Sequence, residues 1–283
     1  MKLPAQAQLT REFTVKRIRS APNLHSGPTL DTVATEEPLD ILVRYSVKQA
    51  RVSQNLALTM RTPGHDRELA AGFLLSEGII DSREQIREIR ALGIEPCNEI
   101  LVELAEDVDV DAWRSARDTV LNSSCGICGK RSLESLVRAV PTVPCGTFQI
   151  DAHTIHSLPD LLRREQGGFA QTGALHAAAL FTPGGTIVRV FEDIGRHNAL
   201  DKLVGACLLD EDIPLQNYVL FMTSRSSFEL VAKAVAAGVP VLATVGGPSS
   251  LAIETARAFG ITLIGFVRDN RFNIYSGDWR IHS

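Results

Sequence analysis

The segment YVLFMTSRSSFELVAKAVAAGVPVLATVGGPSSLAIETARAFGITLIGFV, residues 218–267, decides the fold. It contains three short apolar runs, at 218–223, 239–245 and 261–267, which predict strands. The two stretches between them have helical periodicity, and each is followed by a glycine, the residue that commonly ends a helix. Strands that alternate with helices form a parallel sheet with right-handed crossovers. The segment therefore predicts an α/β fold.

The loops that follow these three predicted strands are 224–227, 246–250 and 268–271. In an open α/β sheet such loops lie at one edge, where ligands bind. Two of the loops precede helix N-termini, whose free N–H groups suit phosphate oxygens. Three arginines add positive charge there: Arg225, Arg268 and Arg271. An anionic ligand such as a diphosphate is expected, although ordinary turns rich in small residues are the alternative.

The residues before this segment predict a smaller α+β part. Apolar runs at 41–47 and 55–61 are spaced for antiparallel pairing, and a turn at 62–66 leads into a helix over 66–76 that Asp66 can cap. A further strand is expected at 100–104. In the middle of the chain, helices are expected at 133–140, where Pro141 stops the helix, and at 151–164.

Composition excludes several classes of protein. The 283 residues are 45% hydrophobic and 22% charged, as in a globular protein, and the net charge of −4 argues against a broad nucleic-acid or anionic-membrane surface. No apolar run approaches the roughly 18 residues of a membrane span. Residues 1–23 are basic without an apolar core, so they are not a secretory signal but a loose tail or an early strand. The odd count of five cysteines predicts free thiols in the cytoplasm.

Cys125 and Cys128 form the one close cysteine pair. Such a pair can ligate zinc, exchange disulfides, carry a persulfide or sit in an inert turn. Zinc needs two more ligands, and a thioredoxin-like site places its pair after an early strand. The neighbouring glycines and the basic pair 130–131 favour a mobile, reactive thiolate. A sulfur carrier is the preferred interpretation.

The residues 192–198 (EDIGRHN) are expected to open an amphipathic helix in which Cys207 lies in the core. An acidic first turn with a cap explains Glu192, Asp193 and Asn198 but not Arg196 and His197. A functional pocket is therefore favoured for this motif. His176, before the apolar run 177–181, is equally compatible with a structural and a functional role.

Several segments together resemble the formate dehydrogenase accessory sulfurtransferase family, FdhD/NarQ. They retain the order of the family and span most of the chain after about residue 35: 62–64 (TPG), 68–80 (ELAAGFLLSEGII), 123–129 (SSCGICG), 172–180 (TGALHAAAL), 192–202 (EDIGRHNALDK) and 224–275. The match is specific, because EDIGRHNALDK together with SSCGICG is not a generic pattern.

The resemblance implies a carrier that takes sulfur from a cysteine desulfurase and passes it to the molybdenum cofactor before that cofactor enters formate dehydrogenase. Cys125 matches the persulfide-bearing cysteine, and Cys128 is the second thiol. The cargo is the bis(molybdopterin guanine dinucleotide) form, bis-MGD, and neither a permanent cofactor nor a metal is expected. Its pocket includes the stretch matching Phe266, Val267, Arg268, Asp269, Asn270 and Arg271.

The resemblance also implies a cytidine-deaminase-like three-layer α/β sandwich with a smaller N-terminal α+β part, typically as a homodimer. The expected organisation is a flexible basic tail (1–30), the small α+β part (31–120), a mobile CxxC loop (121–135) and an α/β cofactor-binding domain (136–283). Two other functions stay open. One is a non-enzymatic chaperone of the cofactor and of formate dehydrogenase with structural thiols, and the other is a zinc-stabilised binding module.

Overall fold

The computed structural model describes residues 9–18, 28–48, 50–93, 97–118 and 148–282. The strands are β1 Thr10–Lys16, β2 Pro28–Ala34, β3 Glu37–Val47, β4 Ala50–Arg61, β5 Ile86–Ala91, β6 Glu99–Leu104, β7 Ile150–Asp151, β8 His176–Phe181, β9 Ile187–Asp193, β10 Val219–Met222, β11 Val241–Thr244, β12 Thr262–Arg268, β13 Arg271–Ser276 and β14 Ile281–His282. The helices are α1 Asp66–Ser76, α2 Val110–Asp118, α3 Ala152–Glu165, α4 Gly167–Thr172, α5 Arg196–Leu209, α6 Phe228–Ala236 and α7 Ser250–Ala258. Two 3-10 helices lie at Arg83–Gln85 and Asp278–Arg280.

The larger sheet has six strands in the order β13-β12-β11-β10-β8-β9. Its centre is parallel: Val219 of β10 lies opposite Val241 of β11, which lies opposite Thr262 of β12. The remaining strands run antiparallel to their neighbours. Gly238, directly after α6, has the positive φ of 74° that a helix-ending glycine adopts. The predicted β-α-β-α-β unit is confirmed.

Alternate side chains of this sheet enter two apolar clusters. One cluster contains Leu220 and Leu242 with residues of α5, α6 and α7. The other contains Phe221 and Ala243 with residues of α3. Because successive strand residues face opposite sides of a sheet, these helices cover opposite faces. The predicted three-layer α/β arrangement is confirmed, and its likeness to cytidine deaminases stays an expectation.

The smaller part is a four-stranded sheet in the order β4-β3-β6-β5, packed on α1. The predicted antiparallel pairing of β3 with β4 is confirmed, as are the predicted bounds of α1. One continuous apolar cluster contains residues of both parts, from Leu39 of β3 to Leu263 of β12. The α+β part therefore shares a core with the α/β part.

Helices α1 and α5 connect the two parts through two glycines. A Cβ on Gly72 would lie 1.9 Å from the backbone oxygen of Asp201, and a Cβ on Gly205 would lie 1.8 Å from that of Glu68. These distances are shorter than any non-bonded contact, so only glycine allows the helix backbones to approach this closely.

In the N-terminal region, the structure corrects the predicted helix cap and finds one of the two alternatives expected for residues 1–23. Asp66 does not cap α1, because His65, in the left-handed conformation at φ 58°, is the N-cap, and the Asp66 carboxylate instead accepts hydrogen bonds from Arg61 at 2.9 Å. Of the loose tail or early strand expected for residues 1–23, the strand is found at 10–16, where β1 pairs with β2.

The prediction that 192–198 opens an amphipathic helix is wrong in two respects. Glu192 and Asp193 end strand β9, and α5 begins only at Arg196. Residues 198–208 of α5 are all buried, because the sheet covers one side of this helix and α1 covers the other. Cys207 lies in the core, as predicted.

No helix in the described ranges is long and apolar enough to cross a membrane. Cys125, Cys128, Cys145, the predicted CxxC loop (121–135) and the helix expected at 133–140 lie outside the described residues. The helix expected at 151–164 is α3, and its N-cap Asp151 accepts a hydrogen bond from the backbone N–H of His153 at 2.6 Å.

Candidate functional site

The three predicted loops meet at one edge of the six-stranded sheet. The backbone N–H of Gly246 donates to the oxygen of Ser224 at 3.0 Å, and that of Ser249 donates to the oxygen of Ser226 at 3.0 Å. Beneath them, the hydroxyls of Ser226 and Thr244 lie 2.8 Å apart. These bonds hold the loops after β10 and β11 against each other. We call the sheet edge on which they lie the carboxyl edge. It comprises residues 223–229, 246–250 and 266–271, together with His176 and residues 194–197, which lie beside the end of β10.

Phe266 is the most unusual residue of the carboxyl edge. Its φ of 57° is in the left-handed region, which a bulky aromatic residue rarely adopts, and its N–H donates to the oxygen of Gly246 at 3.1 Å. A Cβ on Gly247 would lie 2.5 Å from the Phe266 ring, so glycine is required beside it. Such strained backbone is concentrated at functional sites and ligand clamps. The ring is half-buried, and the Arg268 guanidinium carbon lies 5.6 Å from its centroid.

The residues after Phe266 form a tight turn between β12 and β13. Asp269 and Asn270 both have positive φ, 54° and 55°, as in a type I′ hairpin turn. The turn places Arg268 opposite Arg271, and both side chains are exposed. Of the six residues predicted to bind cofactor, only Val267 is fully buried, in the core cluster with α3.

Two helix N-termini point at the carboxyl edge. Ser227 caps α6, accepting from the N–H of Leu230 at 3.5 Å, and Ser249 caps α7, accepting from that of Ala252 at 3.2 Å. The first N–H groups of a helix carry partial positive charge and have no partner within the helix. The side chains of Arg225 and Arg271 make no hydrogen bond or ion pair with any described residue. The edge is therefore electropositive, as a site for an anion requires.

A second group of polar side chains lies at the β8 end of the same edge: His176 of β8, Arg196 and His197 of α5, and Glu229 of α6. Nε2 of His197 lies 3.0 Å from a Glu229 carboxylate oxygen. His197 lowers the pKa of Glu229 through a hydrogen bond and its charge. Burial lowers the pKa of His176, with further contributions from Arg196 and His197. His176 is therefore neutral at pH 7 in the folded protein.

The other polar residues of the 192–202 motif form hydrogen bonds and an ion pair in the interior, a role that was not predicted from the sequence. Asp193 is fully buried, and its carboxylate lies 2.7 Å from Nζ of Lys202 and accepts from the N–H of Thr62 at 3.1 Å and of Gly195 at 2.8 Å. Asn198 donates to the oxygen of Met60 at 2.7 Å. These contacts link α5 to β4 and to the turn before α1. The predicted functional pocket is thus not formed by Asp193 and Asn198.

Glu192 also has a structural partner. Its carboxylate accepts from the backbone N–H groups of Gly168 and Phe169, at 2.8 and 2.9 Å, at the start of α4. Another buried ion pair joins Lys233 of α6 to Asp201 of α5 at 2.8 Å. No local sequence signal could have shown these pairings, because each joins residues more than 20 positions apart.

The described ranges contain two cysteines, Cys97 and Cys207, and neither thiol is fully exposed. Burial raises the pKa of Cys207 to about 12, so its thiol stays protonated. Cys97 is half-buried, and its sulfur contacts the backbone oxygens of Leu92 and Glu99. The described residues contain no group of three or more His, Cys, Asp or Glu side chains placed to hold a metal ion.

A cavity of about 320 Å³ lies in the smaller part, away from the carboxyl edge, and its lining includes Cys97. Most of its charged side chains, though not Arg67 and Glu99, have partners among the described residues. Arg61 binds Asp66, and His65 lies 3.9 Å from Glu68, whose pKa it lowers. Because paired charges leave little for a ligand to neutralise, we assign the candidate site to the carboxyl edge.

Several proteins that are named as sulfur carriers are similar in sequence to most of this chain. Proteins named sulfur carrier protein FdhD match it from Streptomyces coelicolor (43% identical over 259 residues), Sulfurisphaera tokodaii (41% over 251) and Mycobacterium tuberculosis (44% over 264). The matches cover 89% of this chain and 89%, 92% and 92% of the relatives, respectively.

The fold has a solved counterpart. A crystal structure from Desulfotalea psychrophila, assigned as a formate dehydrogenase accessory protein, matches with a TM-score of 0.70 at 24% identity, over 97% of this chain and 100% of that one. The family model described as FdhD/NarQ matches residues 34–282. The chain therefore belongs to the FdhD/NarQ family.

Proposed function

We propose that this protein is a sulfur carrier required for formate dehydrogenase activity, which transfers sulfur from a cysteine desulfurase to bis-MGD. The observation that carries the proposal is the match, over 89% of the chain, to relatives named as sulfur carriers. The SSCGICG segment supplies the thiol pair for that role. The electropositive carboxyl edge supports a diphosphate-containing cargo.

Cys125 is proposed to take the sulfur as a persulfide. Its thiolate attacks the sulfane sulfur of the desulfurase persulfide, the S–S bond of the donor breaks, and the donor cysteine leaves as a thiolate. The sulfane sulfur keeps its oxidation state, so no outside oxidant is needed. Lys130 and Arg131 follow the pair in sequence and favour the thiolate form. Cys128 is proposed to assist the transfer or the release of sulfur.

The carboxyl edge is proposed to bind the guanine dinucleotide. The half-buried Phe266 ring offers a surface for stacking a base, a contact worth roughly 1–3 kcal/mol per base. Arg268 and Arg271 present guanidinium groups that match the paired oxygens of a phosphate. The N-termini of α6 and α7 add N–H donors at the same edge.

The assembly is proposed to be a cytoplasmic homodimer that meets two protein partners, the desulfurase and the catalytic subunit of formate dehydrogenase. The sulfurtransferase activity then links the two partners. No membrane or nucleic acid takes part in this proposal.

The test is mass spectrometry of the peptide that contains Cys125 and Cys128 after incubation with a cysteine desulfurase and cysteine. We expect an added sulfur atom on this peptide in the wild type and its loss in Cys125→Ala. Cys97→Ala is the matched control, because Cys97 is the partly exposed thiol within the described ranges, and it should keep the adduct.

A second measurement separates the carrier from a chaperone. Formate dehydrogenase activity in cells should be lost with Cys125→Ala if sulfur travels through this residue. Full activity with that variant, together with no sulfur adduct on the wild type, would instead support a cofactor chaperone with structural thiols.

A further inference from the structure

The carboxyl edge has positive side chains at both of its ends. At the β12 end are Arg268 and Arg271, which the proposed function uses. At the β8 end, Arg196 begins α5 and lies near His176 and His197. Arg196 is half-buried, yet its side chain has no hydrogen bond or ion pair within the part of the chain that the structure describes.

The unpaired state of Arg196 is not due to a lack of acidic neighbours. Glu229 lies close enough to Arg196 for the arginine to lower its pKa, but its carboxylate is already occupied by His197 at 3.0 Å. In the interior, by contrast, Arg61 is bound by Asp66 and Lys202 by Asp193. An unpaired, partly desolvated guanidinium is therefore available to an anion that comes from solvent.

The two ends are separated by a distance that the sheet order fixes. Strands β12, β11, β10 and β8 are consecutive neighbours, so three strand spacings of about 4.8 Å each place the β8 end roughly 14 Å from β12. A single phosphate group cannot reach both ends. A ligand longer than a nucleoside diphosphate can bind at one end through its base and diphosphate and at the other through a second acidic group.

We infer that Arg196, with His176 and His197, forms a second anion subsite of the carboxyl edge, which holds the acidic end of an elongated ligand remote from its base. This inference rests on the proposed function, because it extends the same binding edge. Arg196 supplies the charge and a forked set of donors. His197, held by Glu229, and the neutral His176 flank the anion and contribute hydrogen bonds.

The experiment uses inorganic pyrophosphate as the probe and the full-length chain. Affinity is measured by calorimetry, and the side-chain signals of His176 and His197 are followed by NMR, with assignment from the His176→Gln variant. In the wild type, pyrophosphate should shift both imidazole signals. Arg196→Gln should weaken pyrophosphate binding at least fivefold and abolish the shifts, whereas Arg196→Lys, which keeps the charge, should retain them with intermediate affinity.

Two control variants locate the effect. Arg164→Gln removes an exposed arginine on α3, which covers the opposite face of the sheet, and should leave affinity within about twofold of the wild type. Arg271→Gln should weaken binding at the β12 end but leave the histidine shifts in place.

The inference is overturned if Arg196→Gln behaves like Arg164→Gln, if the wild type binds pyrophosphate without any histidine shift, or if it binds no pyrophosphate. Each of these results is separable from failure of the proposed function, which is read from the sulfur adduct on Cys125. A chain that acquires the adduct yet shows no anion subsite would keep the carrier role and lose only this extension.

Discussion

Residues 192–202 contain polar side chains of two kinds: buried ones with hydrogen-bonding partners inside the protein, and a partly exposed one without such a partner among the described residues. Asp193, Asn198 and Lys202 are each less than a tenth exposed, and each is bonded to groups of the smaller part of the molecule. Arg196 lies between them in sequence but is partly open and has no partner within the described ranges. Since an unsatisfied buried polar group is costly, the contacts of the first three are explained by folding, whereas the role proposed for the Arg196 side chain is to bind an anion.

The comparison extends to the rest of the molecule. At the α1–α5 contact, backbones touch and every charged group described above has a partner within the chain. At the carboxyl edge, by contrast, the backbone at Phe266 is in the left-handed region, and the side chains of Arg225 and Arg271 have no partner among the described residues. A single segment of sequence can thus supply side chains to the interior and also to the proposed anion subsite.

The largest expected effect comes from Lys202→Met. The change leaves the Asp193 carboxylate buried without its cation, and breaking a buried ion pair in this way costs about 3–5 kcal/mol. The free energy of unfolding, measured by urea denaturation, should fall by this amount. Arg196→Gln is the control from the same helix and should change it by no more than about 0.5 kcal/mol. Equal losses for the two variants would show that the Lys202–Asp193 pair stabilises the fold no more than the Arg196 side chain does.

A similarly severe effect is expected from Gly72→Ala. The added methyl group would lie 1.9 Å from the backbone oxygen of Asp201, so α1 and α5 must separate. Such overpacking should cost about 3 kcal/mol in the same urea experiment. Gly167→Ala at the start of α4 is the matched control, because a Cβ there meets nothing within 4 Å. If both alanine variants unfold at the wild-type urea concentration, the close helix contact is not what joins the two parts.

The smallest effect concerns pH and His176. Because burial lowers the pKa of His176 below 6.5, the unfolded chain binds a proton there at a pH where the folded chain does not. Stability is therefore full above pH 6.5 and falls as the pH drops toward the lowered pKa of the folded state. His176→Gln removes this contribution, so between pH about 7 and about 5 the variant should lose less stability than the wild type, as measured by thermal unfolding. An identical pH dependence for both would show that His176 is not desolvated.

Much of the fold could be predicted from the sequence, because local and long-range signals agree there. In the 218–267 segment, apolar runs, helical periodicity and terminal glycines all indicate the same elements, and the structure matches them within a few residues. The carboxyl edge follows from that topology alone, since the loops after parallel strands must share one edge.

The polar contacts could not be predicted, because they join distant parts of the chain. Thr62 and Asp193 are 131 positions apart, and no local pattern indicates that they bond. The acidic residues at 192–193 match the composition of a helix start, but pairing with β8 makes them the end of a strand. Asp66 likewise has the composition of a cap, but the guanidinium of the nearby Arg61 takes its carboxylate.

The glycine contact between α1 and α5 limits the routes by which a large ligand can reach the protein. Because the helix backbones are in contact at Gly72 and Gly205, the described residues of α1 and α5 leave no space between the two helices for a ligand. Under the proposed function, a bulky cargo would therefore reach the carboxyl edge from solvent, without separation of α1 from α5.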